Sequence, residues 1–333
     1  MIANEAPALT ASPASSAGLP SCPICGELNP IPWLSAPDRF HGRTKPYQLL
    51  RCSSCSMVWL DDPPSKEEMG MHYGSDYDRT ISTAAKATDH WFGRRDELRR
   101  LKPGGGAVLD LGCASGGFLS TMQGPSWKLF GIEMSEEAAS VARSRCGAEV
   151  FVGDILDAPF APGSFDAITC FNVFEHVYEP KEVLARAAEW LKPGGIFFTM
   201  MPNIDSAGAR IFRSYWYALE LPRHLYHFSP ATLRRVAHEV GLQEVLLQAQ
   251  RDLYFEASTR YIFDDFVKKF GVTREPMARS TDDGSLPWRV VRKAYRLTFL
   301  KLFTAAASLA GDGEMMYAVF AKGAASIGAA AHD

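Results

Sequence analysis

Residues 108–117 read VLDLGCASGG, a strand-forming run that ends on a carboxylate, Asp110, and then breaks into glycine, alanine and serine. The stretch from Gly112 to Gly117 loosely satisfies the spacing of a dinucleotide-binding loop, with Ala114 where the middle glycine would stand, and so admits an NAD-linked enzyme. A pyrophosphate resting on the following helix would be repelled by a carboxylate at the strand end, whereas a positively charged ligand would be attracted by it. The acid therefore selects a cationic ligand.

Outward from this stretch, apolar runs alternate with helical patterns. Strands are expected at about 107–110, 129–134, 149–153, 166–172 and 195–201, with helices between them that include 135–145 and 180–191. Strand–helix–strand repetition implies a doubly wound α/β sheet, mostly parallel, and such sheets bind ligands at the carboxyl ends of their strands. Glu133 ends the second strand, at the interval where an acid grips a ribose diol, and Asp154 ends the third, where a carboxylate can accept from an exocyclic amine. A solvated loop is the common fate of one such acid. Three in register along one sheet edge are harder to dismiss.

VLDLGCASGG, GIEMS, VGDI, FDAITCFNVFEHV and LKPGGIFFTMMPN together resemble the successive motifs of the S-adenosylmethionine-dependent methyltransferases with a Rossmann-like fold. The resemblance covers roughly 105–252 and returns at MMYAVFAKG, 315–323. It implies a seven-stranded sheet whose last strand is antiparallel. It also implies that the loop from Asp110 through Gly112, Ala114 and Gly116 holds the methionine part of the cofactor. Glu133, followed by Met134, would take the ribose hydroxyls, Asp154 with Ile155 the adenine, and Phe171 would lie beside the cofactor. Ala114 is a departure, since the family often has glycine there, and it adds one methyl group.

Seven cysteines without an export signal point away from disulfides. Cys22 and Cys25, and Cys52 and Cys55, form two Cys-x-x-Cys turns that aim four thiolates at one point, the donor set of a closed structural zinc site. Cys113, Cys146 and Cys170 lack such spacing and read as buried small hydrophobes. The expected organisation is a disordered tail at 1–20, a zinc ribbon at 21–60, a helical linker or lid at 61–104, the methyltransferase domain at 105–252 and 315–325, a helical insertion at 253–314 and a tail at 326–333. Tyr73 and Tyr77 in the linker are read as packing residues that could cover a ligand.

Methyl transfer from a sulfonium requires mainly that the acceptor be aligned and its proton removed. FNVFEHVYEP places His176 at the pocket rim, and LPRHLYHFSP places His224 and His227 just before a helix that starts near Ser229. Of these, His224 is the first choice as general base. Its segment resembles the EH-x-Y-x-F-S signature of sugar carbon-methyltransferases that also carry an N-terminal zinc module, with Arg223 in the place of the glutamate. That departure weakens carbon methylation and keeps a hydroxylated acceptor, a sugar or a lipid-linked glycan intermediate. A zinc-ribbon RNA methyltransferase or RNA-binding module, and an O-methyltransferase of a quinone or another small molecule, are the alternatives.

A net charge of −3 over 333 residues, with no Lys/Arg run longer than two, weighs against a nucleic-acid partner, and the absence of an Asn/Asp-Pro-Pro-aromatic motif weighs against adenine-amino methylation. The first twenty residues lack the basic start and apolar core of a secretion signal, and the apolar stretch 302–311 is too short to span a bilayer, so the expected location is cytoplasmic. The insertion, with helices expected at about 254–269 and 287–310, mixes aromatics with Arg and Lys. It is read first as a packed helical pair or interface, otherwise as a lid or a peripheral membrane contact. The oligomeric state stays open.

Overall fold

The computed structural model describes residues 21–73, 89–250, 254–269, 271 and 313–323. The tail at 1–20, Tyr77, the second insertion helix at 287–310 and the tail at 326–333 lie outside the described residues. The main sheet has seven strands, ordered β10-β11-β8-β7-β4-β5-β6. Its members are β4 (Gly106–Leu111), β5 (Trp127–Glu133), β6 (Glu149–Val152), β7 (Phe165–Phe171), β8 (Leu191–Pro202), β10 (Leu242–Gln250) and β11 (Met315–Lys322). Strands β4 to β8 run parallel, and β11 inserts antiparallel between β8 and β10. This is the seven-stranded sheet expected from the sequence, with its last strand reversed.

The parallel strands form because both of their faces are covered, which favours near-continuous apolar runs. Val108, Leu109, Leu111, Ala167, Ile168 and Phe197 are all fully buried. The covering helices include α2 (Asp89–Leu101), α3 (Gly117–Thr121), α4 (Glu136–Cys146), α5 (Pro180–Trp190) and α7 (Pro230–Glu239). Each starts or stops where local chemistry demands it. Ser135 caps α4 and Gly147 ends it in the left-handed conformation, while Ser229 and Thr232 form a reciprocal capping box at the start of α7. The insertion begins with α8 (Tyr254–Lys268), close to the expected span. Cys113, Cys146 and Cys170 are buried and unpaired, as expected.

The strand order reverses between β4 and β7, and the crevice outside that point is where ligands bind in such sheets. Close packing there needs glycine. A side chain on Gly131 of β5 would bring its Cβ within 2.5 Å of the Cys113 sulfur, and one on Gly112 would meet Val173 at 2.5 Å.

A second sheet holds β1 (Ile31–Pro37), β2 (Pro46–Arg51) and β3 (Val58–Leu60), all antiparallel, and its fourth strand is β9 (Tyr226–His227). The cysteine-bearing segment is therefore completed by a strand from the far side of the chain. Ile24, Met57 and Trp59 share a buried cluster with Phe174, Phe228 and Leu233. The Lys181 ammonium donates to the Ile24 carbonyl at 3.1 Å. Short elements follow: α1 (Lys66–Met69), capped reciprocally by Ser65 and Glu68, and α6 (Ala207–Phe212), capped by Ser206. No described helix is long and apolar enough to cross a membrane.

Candidate functional site

Asp110 and Glu133 lie on neighbouring strands, and Asp154, expected to end the third, lies two residues beyond β6 as the cap of a turn at Ile155–Asp157. Asp110 near the end of β4 pairs in register with Gly131, two residues before Glu133, which ends β5 opposite Val152 of β6. Asp110 is 5% exposed and accepts a hydrogen bond from the Thr169 hydroxyl at 2.7 Å. Burial pushes its carboxyl up to about 7, with the Thr169 hydroxyl opposing the rise and the charge on Glu133 adding to it. The loop beyond it turns through Gly112, Ala114 and Gly116, all in the left-handed region. Glu133 clamps that loop, accepting from the Ala114 N–H and the Ser135 N–H, each at 2.9 Å.

Asp154 accepts from the Leu156 N–H at 3.0 Å through one oxygen and meets the Lys66 ammonium at 3.0 Å through the other. Burial raises its carboxyl, but those two contacts outweigh it and hold the group below the usual range. Ile155 is buried beside it, whereas the Met134 side chain is 71% exposed. Phe171, at the end of β7, is stacked on Trp91 of α2 with ring centres 5.6 Å apart, and Phe118 and Phe198 meet it edge-on. The Trp91 ring also covers Gly117, where an added Cβ would stand 3.0 Å from the indole nitrogen.

The three histidines converge. The rings of His176 and His224 are 4.6 Å apart and those of His224 and His227 are 6.2 Å apart. His224 Nδ1 lies 2.8 Å from the Ala218 carbonyl and His176 Nδ1 lies 2.9 Å from the Arg223 carbonyl. A carbonyl only accepts, so each Nδ1 carries the proton and each Nε2 is left as the basic atom. Burial pushes His176 and His227 down to about 3 and His224 well below its ordinary value. All three are therefore neutral at pH 7, and burial makes each a weaker base than a solvated imidazole.

Glu175, adjacent to His176 in sequence, is 2% exposed, and neither of its carboxylate oxygens has a hydrogen-bond partner. Burial pushes it up to about 8, with its own backbone N–H opposing and the charge on Glu220 adding. One ligand atom from each of Glu175, His176 and His224 falls within 4.8 Å of the others. Glu220 lies 3.6 Å from His224 Nε2 and 2.7 Å from the Arg223 guanidinium. The Tyr73 hydroxyl stands 3.1 Å from His176 Nδ1.

The four paired cysteines also meet. The sulfurs of Cys22 and Cys55, and those of Cys25 and Cys52, are 3.5 Å apart, and all four lie within 4.8 Å. A tetrahedral thiolate site with metal–sulfur bonds of about 2.3 Å requires sulfurs about 3.8 Å apart, so the donor set fits zinc. Burial raises the Cys52 thiol, but the N–H groups of Cys55 and Ser54 and the neighbouring thiols outweigh it and leave it at about 7.

A family model described as a methyltransferase domain matches residues 84–247. Over 214 residues the chain is 30% identical to the ubiquinone biosynthesis O-methyltransferase of Idiomarina loihiensis, covering 61% of this chain and 82% of that protein. The chain belongs to the S-adenosylmethionine-dependent methyltransferases. The protein of the same name from Thiobacillus denitrificans is 35% identical over 151 residues, 42% of this chain, and the match spans 65% of its length, just under two thirds. Among solved structures, a possible histamine N-methyltransferase of Thermotoga maritima aligns over 75% of this chain and 96% of its own, at 18% identity and a TM-score of 0.46. That likeness is too loose to bear on function.

The acids of this methyltransferase-family chain suit the family's cofactor. Asp110 is too buried to keep its charge unaided, and a ligand bringing a cation would restore it. Sequence reading missed Glu175 and Lys66, and read Tyr73 as a packing residue that could cover a ligand without foreseeing its contact with His176. Glu175 stands next to a named histidine, and the signal it offered was an acid directly following the apolar pair Val173–Phe174. Lys66 and Tyr73 are 88 and 103 residues from their partners and carry no local signal.

Proposed function

We propose that the protein transfers a methyl group from S-adenosylmethionine to a hydroxyl oxygen of a small organic acceptor. The relatives' name, ubiquinone biosynthesis O-methyltransferase, favours a quinol-type phenol over the sugar or glycan acceptor. The bound cofactor supplies an activated methyl group. Asp110, the Gly112–Gly116 loop, Glu133 and Asp154 bind it, with Phe171 and Trp91 closing one side. Ile155 flanks the adenine end. His224 Nε2 takes the acceptor proton, His176 and His227 complete the basic wall, and Tyr73 orients His176.

The observation that carries the proposal is the Glu175–His176–His224 cluster, buried except for the half-buried His176, whose histidines have the proton fixed on Nδ1 by carbonyls and present Nε2 as base. An imidazolium formed there is costly unless an anion stands beside it, and an ionised Glu175 provides that anion. Zinc held by Cys22, Cys25, Cys52 and Cys55 is assigned a structural role, since four thiolates leave no open position.

The test is transfer of labelled methyl from S-adenosylmethionine onto a catechol or demethylated quinol, set beside nucleotide sugars. Transfer to the phenol is expected. His224→Asn should lower turnover by about 10²-fold or more while cofactor affinity stays within about twofold. Transfer to sugars alone, or equal losses in turnover and cofactor affinity, would overturn the assignment.

A further inference from the structure

A cavity of about 310 Å³ lies between the second sheet and the segment around α6. Trp33, Arg51 and Val58 line it from the sheet, and Ile204, Arg210 and Arg213 from the other wall. Asp205 is the one carboxylate on the lining, against three guanidinium groups. In a chain of net charge −3, this concentrates positive charge around a hollow whose two walls each also carry apolar side chains. Arg210 is engaged, donating to the Asp205 carbonyl at 2.8 Å. Among the described residues, the Arg51 and Arg213 side chains make no hydrogen bond or ion pair. Arg213 also sits at φ 49°, a left-handed conformation that a non-glycine residue adopts at a cost, and such strain concentrates at sites of function.

The cavity backs onto the histidine cluster. Val58 on its wall is the direct cross-strand partner of His227, and the N–H of Ile204 donates to the Phe228 carbonyl at 3.0 Å. Directly opposed residues in an antiparallel pair point to the same face, so His227 and the cavity share one side of the second sheet.

We propose that this cavity binds the phosphoryl group of an organic phosphate ester, with Arg51 and Arg213 taking the phosphoryl oxygens and Trp33, Val58 and Ile204 covering the apolar body. Guanidinium forks match phosphoryl oxygens in pairs, and free ones at the edge of an apolar hollow give charge and shape recognition together. The assignment of this ligand as the acceptor's own anionic handle rests on the proposed function. Binding itself does not.

Titration calorimetry on the full chain separates the two, with phenyl phosphate, phenol and inorganic phosphate as probes. Phenyl phosphate is expected to bind at least about tenfold more tightly than either fragment, and more weakly as salt rises. Arg51→Gln with Arg213→Gln should weaken it by about tenfold or more, with S-adenosylhomocysteine affinity and the thermal midpoint unchanged. If the double variant is unstable, Arg213→Gln alone, at an exposed position, should still weaken it severalfold. No binding up to millimolar phenyl phosphate, equal binding of phenol, or unchanged binding in the variants would overturn the proposal. If phenyl phosphate binds but no phenol is methylated, the cavity stands and the proposed function falls.

Discussion

Replacing Glu175 with glutamine should change how stability depends on pH. The carboxyl is ordinarily at 4.5 and burial moves it to about 8. That displacement corresponds to about 5 kcal/mol, taken as an upper figure. Below pH 4.5 the group is neutral in both the folded and unfolded chain and contributes nothing. Between 4.5 and about 8 only the unfolded chain ionises, so native stability falls by about 1.4 kcal/mol per pH unit. Above about 8 the full cost remains. Glutamine has the same size and no charge to lose, and its unpartnered amide adds only a pH-independent offset of about 1–3 kcal/mol. The buried histidines destabilise on the acid side, below 6.5, as the unfolded chain protonates, and both proteins share that loss. Thermal midpoints of the two proteins from pH 4.5 to 9 should therefore diverge in favour of the variant, by about 10 °C across the window at about 2 °C per kcal/mol. Parallel curves would refute the reasoning, because they would mean that the folded protein already holds Glu175 as a partnered carboxylate.

The same carboxyl should govern turnover: methyl transfer is expected to rise with pH through about 8, and Glu175→Gln should remove that limb from the rate profile. Cofactor binding should favour the ionised form of Asp110, so affinity should rise with pH up to about 7 with release of a proton, and Asp110→Asn should flatten that dependence and weaken binding by about tenfold or more. Calorimetry in buffers of different ionisation enthalpy reads both effects. Metal analysis should find one zinc per chain, and Cys22→Ser with Cys25→Ser should abolish it and lower the thermal midpoint; an intact protein free of metal would end the assignment. Tyr73→Phe should lower kcat several-fold with cofactor affinity unchanged, whereas a matched loss of affinity would make the tyrosine structural.

The parallel part of the fold was legible because strands covered on both faces spell apolar runs closed by Asp, Glu or Gly. The expected 107–110 and 149–153 became Gly106–Leu111 and Glu149–Val152. The acids were legible for the same reason, since strand ends map onto one sheet edge. The histidines were readable only as separate candidates, and they converge because the N–H groups of Leu225 and Tyr226 donate to the Glu175 carbonyl at 2.9 and 3.2 Å, while β9 also pairs with β3. A two-residue strand has no periodicity to detect, so neither that pairing nor the fourth strand of the cysteine-bearing sheet could be foreseen. The burial of Glu175 depends on long-range contacts, including those of the segment around His224, and its sequence neighbours alone do not foretell it. The arginine-lined cavity joins Arg51 at the end of β2 with Arg213 just after α6, residues distant in sequence, and a single arginine carries no signal of a shared hollow.

The most direct measurement is a calorimetric titration of the purified chain with S-adenosylhomocysteine, alongside Glu133→Ala and Asp110→Asn. One site per chain is expected, with each substitution weakening binding by about tenfold or more. Absence of binding, or affinity indifferent to both substitutions, would contradict the claim that the acids along this sheet edge hold the nucleoside cofactor.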